Sequence, residues 1–190
     1  MSAKVDLVQC LYGAIDEIGK STIQKDLVSS DLDASRKYMQ KIMDSSLLSL
    51  RNNSKIEVTD DMIPDLCEAL LHFMLTASTL PSARKINVNN KLKIDLAIPS
   101  LQRLKNTPQK ALVIAIMHKL EDCNRISQIK SIQPNTSNIW LVSTRPLRIT
   151  ELREYSVFPT GSSKRFSDII VDIERFLRKS GDRSMRFVHS

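Results

Sequence analysis

The chain is short of several things that proteins use to build sites. It has three cysteines, Cys10, Cys67 and Cys123, with no C-x-x-C pair, and three scattered histidines, His72, His118 and His189. That number and spacing argue against a disulfide framework or a structural zinc site. Buried or idle thiols are expected instead. There are four glycines in 190 residues, none in a phosphate-cradling run, which argues against a P-loop or Rossmann nucleotide site. The longest unbroken apolar run, ALVIAIM at 111–117, is far too short to span a bilayer. The start, MSAKVDLVQC, has no apolar stretch of signal-peptide length. The expectation is an intracellular, cytoplasmic protein with no membrane attachment; this start and a basic pI of about 9.4 suggest a prokaryotic, nucleoid-associated or a nuclear context, with a prokaryotic one, archaeal included, favoured by the compact build.

What is present fits a globular domain: 42% apolar and 26% charged residues. The net charge is +7, and it is unevenly spread. Residues 1–82 carry 8 Lys+Arg against 12 Asp+Glu, whereas residues 83–190 carry 20 against 9. A basic half of this strength suits a polyanion such as nucleic acid; a solvated basic surface is the alternative.

The first sixty residues have helical periodicity. Val5, Val8, Leu11, Ile15 and Ile18 form a stripe that Gly19 ends. KSTIQKDLVSS offers a short helix with Ile23 and Leu27 inward. DLDASRKYMQKIMDSSLLSL offers a longer one, capped by Asp31 or Asp33, with Tyr38 and Ile42, and after them Met39 and Leu47, toward the core. LLSLR and KIEVT then read as two strands around Asn52, Asn53 and Ser54. Helix, short helix, longer helix and hairpin resemble a winged helix-turn-helix over residues 1–60. The resemblance implies a third helix in the major groove and a wing on phosphates. By position, the base-facing candidates are Ser35, Arg36, Lys37, Gln40 and Lys41; those of the wing are Arg51, Asn52, Asn53 and Lys55. Because this half is acidic, a structural or protein-docking role is a close alternative to DNA contact.

From residue 61 the pattern changes. TDDMIPDLCEALLHFMLTA reads as a helix, with Pro64 tolerable in its first turn. KINV and KLKIDLAI make a hairpin. Leu92, Ile94, Leu96 and Ile98 share one face of its second strand, and Lys93, Asp95 and Ala97 the other. ALVIAIM is apolar on both faces, as a central strand is. A helix follows, with Leu120, Cys123, Ile126 or Ser127, and Lys130 at helical spacing. Next come the buried strand NIWLVST, a short edge strand at LREYSVFP, and an amphipathic helix over SSKRFSDIIVDIERFLRKSG. This order resembles the PD-(D/E)XK, or restriction-endonuclease-like, superfamily over residues 61–190. The fold class expected is therefore α+β to α/β: a winged helix-turn-helix plus a mixed central sheet flanked by helices.

The resemblance implies an Asp on the second strand, Glu-x-Lys on the third and often a Glu on the first helix; the acids hold Mg²⁺ and the Lys assists. Asp95 matches the Asp, and Glu68 is the candidate for the helical Glu. The third strand offers Ala115-Ile116-Met117 where Glu-x-Lys belongs, so a metal ligand and a catalytic cation are both missing there. A migrated centre of Asp95, Lys119 and Glu121 is the remaining route to an Mg²⁺-dependent endonuclease; otherwise no cofactor is expected. Two further clusters, Arg145, Arg148 and Arg153, then Lys164 and Arg165 at a helix start, suit phosphate. With only Tyr155 and Phe158 nearby, stacking on single strands is poorly supported. The reading is a protein that binds double-stranded DNA without cutting it, in transcription regulation or DNA maintenance. A divergent endonuclease and a scaffold that docks a protein partner are its rivals; a homodimer is compatible with each.

Overall fold

In a computed structural model of the protein, the described residues are 3–28, 32–52, 62–89, 92–118, 123–149, 151–161 and 163–181. Four helices come first: α1 (Ala3–Ile18), α2 (Lys20–Val28), α3 (Leu32–Asn52) and α4 (Met62–Ala77). Gly19 separates the first two at φ 93°, a left-handed conformation natural to glycine. The hairpin of β1 (Ala83–Asn89) and β2 (Leu92–Ile98) follows, then the short helix α5 (Leu101–Asn106). The Ser100 side chain accepts from the Arg103 N–H and so caps α5, a helix the periodicity did not announce. The remaining elements are β3 (Leu112–Ile116), α6 (Cys123–Ile132), β4 (Ile139–Ser143), β5 (Arg153–Ser156), β6 (Lys164–Arg165) and α7 (Ile169–Ser180).

The six strands make one sheet in chain order. The β1–β2 and β2–β3 pairs are antiparallel, and every pair from β3 to β6 is parallel. Helices cover both faces, which is why β3 and β4 are buried at every position and apolar at all but Ser143. One face, with Leu112, Ile114, Ile116, Trp140, Val142 and Tyr155, packs into a large core shared by α1–α4 and α7. The other face, with Ala97, Val113, Ala115, Met117, Ile139 and Leu141, packs into a smaller core with Leu104 of α5 and Ile126 and Ile129 of α6. The first three helices and the sheet thus share one hydrophobic interior.

Several expectations change. LLSLR is not a wing strand: it is the last part of α3, with Leu47 and Leu50 buried at i and i+3. A 3.6-residue period over Met39, Ile42, Met43, Leu47 and Leu50 outweighed the short-range strand pattern. KIEVT, with Asn53 and Lys55, lies outside the described residues. In α1 the buried stripe is Leu7, Cys10, Leu11, Ala14 and Ile15, while Val8 is 38% exposed. In β2 the four apolar residues do not share a core: Leu96 and Ile98 join the large one, Leu92 and Ile94 the smaller. β2 pairs with β3 only over Leu96–Ile98, and the hairpin runs on past the large core. In α6 the core positions are Ile126 and Ile129; Ser127 is exposed. β5 is not an edge strand, because β6 pairs beside it. Lys164 and Arg165 form that strand, so the last helix starts only at Ile169.

Candidate functional site

Asp95 stands where the pairing of β2 with β3 ends. The ladder runs from Ile98↔Leu112 to Leu96↔Ile114. One residue further on, the Asp95 side chain replaces a backbone acceptor: its Oδ2 accepts from the Ile116 N–H at 2.7 Å. The same oxygen takes a close ion pair from the Arg125 guanidinium of α6. Through Nη1, Arg125 also donates to the Ile116 carbonyl at 3.3 Å. Asp95, Arg125 and the Ile116 peptide therefore form a closed set at the carboxyl end of β3. Ala115 and Met117 flank Ile116 and are buried in the smaller core.

A divalent cation finds few donors here. Arg125 already neutralises the Asp95 carboxylate and would repel a second positive charge at the same oxygen. Ala115 and Met117 offer no hard oxygen ligand. Among the described residues no group of three or more His, Cys, Asp or Glu could hold a metal ion. Glu68 is engaged elsewhere, with Arg84 at 3.1 Å and Lys85 at 3.3 Å. The side chains at this position do not fit the Mg²⁺ that the superfamily pattern implies. Lys119 and Glu121 lie outside the described residues.

A second arrangement occupies the opposite, amino end of the parallel strands. Asp172 of α7 is only 8% exposed. Its Oδ2 accepts from the Tyr155 hydroxyl at 2.7 Å and the Lys164 Nζ at 2.6 Å, and Arg153 stands 3.7 Å away. Its Oδ1 accepts from Arg175 at 3.3 Å. Burial pushes the pKa of Asp172 up, but Lys164, the Tyr155 hydroxyl and Arg153 outweigh it, so the net displacement is downward. Burial, then the bond to Asp172, pushes the Tyr155 phenol far above its ordinary range. Arg153 also lies over the Trp140 ring, 4.8 Å from its centre, and Lys164 over the Tyr155 ring at 5.7 Å. The three cations remain half open to water, with side-chain exposures of 42%, 46% and 61% for Arg153, Lys164 and Arg175.

Of the residues marked in the sequence, Arg148, Arg153 and Lys164 come together here. Two hollows adjoin the Arg153–Lys164 pair, and Arg145 and Arg165, though exposed, line neither. On α3, Lys37, Lys41, Arg51 and Asn52 are exposed. Arg36 is exposed but paired with Asp33 at 2.9 Å and Asp168 at 3.8 Å. Gln40 donates to Asp44 at 2.9 Å. Ser35 is the misplaced member: it is 4% exposed and faces the interior, so it cannot reach a base. Cys10 and Cys67 are free and buried, as expected of idle thiols.

Sequence reading missed Arg125 and Asp172. Asp172 left a signal: it sits three residues after Ile169 and four before Phe176, an acid inside the apolar stripe of α7. Arg125 left less, because only the pairing of β2 with β3 brings Asp95 to it.

No protein-family model matches the chain, and no curated protein matches it. Among solved structures it is similar to metal-depleted Ecl18kI, a restriction endonuclease, in complex with uncleaved, modified DNA. The TM-score is 0.53 at 11% identity, over 98% of this chain and 82% of that one. The fold is restriction-endonuclease-like. At that identity the similarity concerns the fold alone. Within the fold, Asp95 is the middle residue of β2, next to the point where its pairing with β3 ends. Among the described residues no helix is long and apolar enough to cross a membrane.

Proposed function

We propose that this chain binds double-stranded DNA and does not cut it, acting in transcription regulation or DNA maintenance. One observation carries the second half of that reading: the Asp95 carboxylate is held by Arg125 and the Ile116 N–H, with Ala115 and Met117 beside it. A nuclease of this pattern needs the carboxylate free for a metal and a Glu-x-Lys on the third strand; both requirements fail in the same place. The position is filled by an internal cation, which lets the fold keep Asp95 without exposing an unpaired charge.

DNA binding is supported by the surplus of 20 basic over 9 acidic residues in 83–190, and by a fold shared with a protein solved on DNA. Arg145, Arg148, Arg153, Lys164 and Arg165 would contact phosphates. Lys37, Lys41 and Arg51 are exposed on α3, with no ion pair among the described residues, and would add to them. In this reading residues 1–60 are a helical module that orients the chain, and 61–190 supply most of the affinity.

The test is a fluorescence-anisotropy titration of labelled duplex at about 50 and about 200 mM salt with Mg²⁺ present, followed by a gel. Binding that weakens steeply with salt and leaves the duplex intact is expected. Cut duplex would instead favour a migrated centre using Asp95, Lys119 and Glu121. The absence of binding at either salt would turn attention to a protein partner.

A further inference from the structure

Two hollows open on either side of the Arg153–Lys164 pair. One, of about 510 Å³, is lined by Lys110, Arg175 and Lys179 together with Trp140 and Phe176. The other, of about 570 Å³, is lined by Arg148. Both include Arg153 and Lys164. Six cations therefore border one continuous path at the amino ends of β3 to β6. Two acids border it as well, and both are committed. Asp172 lies beneath three of the cations, and Glu154 accepts three backbone N–H groups, from Leu147 at 3.1 Å, Arg148 at 3.1 Å and Ile149 at 2.6 Å. Asp172 can balance only one of the charges converging on it. The surplus is a standing repulsion that a bound polyanion relieves.

We infer that this path holds the phosphodiester backbone of the DNA, with Lys110, Arg175 and Lys179 as contacts beyond the arginine clusters legible in the sequence. The inference rests on the DNA-binding reading and adds a location, the end of the sheet opposite Asp95. Asp172 acts as an anchor: it holds Arg153, Lys164 and Arg175 by one end of each pair while their outer sides stay in water. Trp140 supports Arg153 from below, and Phe176 packs edge-on against it at 6.3 Å between ring centres. With Trp140 only 2% exposed, its ring cannot stack on a base, so the path reads backbone rather than sequence.

The decisive variant is the double change Lys110→Ala and Lys179→Ala. Both lysines are exposed, and neither has an ion pair among the described residues, so the fold should survive; a thermal melt by circular dichroism checks that. Lys25→Ala, on the exposed side of α2, is the control. Duplex and single-stranded oligonucleotides of equal length are titrated across a salt series. The double variant should bind duplex about tenfold or more weakly near 100 mM salt, with a log–log salt slope shallower by roughly two, while the control matches the wild type. A double variant that binds duplex as the wild type does overturns the path and leaves DNA binding standing. Tighter binding of single strands than of duplex, lost in the double variant, overturns the duplex as occupant. A wild type that binds neither overturns the DNA reading, and the path with it.

Discussion

Asp95 and Asp172 are both carboxylates withdrawn from water and held by arginine, and they stand at opposite ends of the same sheet. Asp95 has one cation and one peptide N–H, in a set closed by apolar neighbours. Asp172 has three cations and a phenol, and the cations keep their outer sides exposed. The first arrangement consumes its charge; the second projects a surplus. Similar chemistry thus yields a sealed position at one end of the sheet and an open cationic surface at the other. What separates the two is stoichiometry and exposure, rather than the kind of residue.

Removing the anchors should separate them further. Asp172→Ala is expected to have the largest effect. It leaves the Tyr155 phenol buried without its acceptor and three half-exposed cations without their shared anion, and should lower unfolding stability by about 3 kcal/mol in urea denaturation. Asp172→Asn should retain part of the hydrogen bonding and cost less. Loss of only a few tenths would mean that the cluster is a loose surface network. Next comes Asp95→Ala, which frees Arg125 but leaves it near solvent, at 22% side-chain exposure. A loss of about 1–3 kcal/mol is expected, with duplex affinity unchanged, since the groups released lie far from the phosphate path.

The pH dependence offers a finer separation. The pKa of Asp172 is depressed in the fold, so its contribution is fully present above the unfolded value of about 4 and is lost as pH falls through the folded value. The acid limb of stability measured by urea unfolding should be shallower in Asp172→Asn than in the wild type. An unchanged limb would show that Asp172 titrates alike folded and unfolded. The smallest effect belongs to Glu151, an exposed carboxylate whose pKa is lowered by its bond to Lys130 at 2.8 Å. Glu151→Gln should leave the denaturation midpoint within error, since exposed pairs add little. A clear loss would mean that the loop before β5 depends on that pair.

Much of the sheet could be read from the residues, because a strand covered on both faces is apolar over most of its length, as at LVIAI and in IWLVS up to Ser143. Helices α2, α4 and α7 followed from their stripes. The wing failed at LLSLR because the same leucines serve a helical period when the helix simply continues, and sequence cannot tell where a long helix stops without a glycine or proline to mark it. The candidate site was legible in its charges but not in its pairings. Arg148, Arg153 and Lys164 stood out as basic residues, whereas nothing in the sequence joins Lys110 and Lys179 to them; parallel pairing brings the amino ends of β3 to β6 together. Arg125 lies thirty residues from Asp95 in the chain, and only the fold joins them.

The central claim, that the Asp95 position is closed to metal-dependent cleavage, is tested most directly by incubating supercoiled plasmid with purified wild-type protein in Mg²⁺ and, separately, Mn²⁺. The Asp95→Asn variant is run beside it. The account predicts that wild type and variant leave the plasmid equally supercoiled under conditions where both bind it. Nicking or linearisation by the wild type that Asp95→Asn abolishes would contradict it, and would show that Arg125 yields its place to a metal ion.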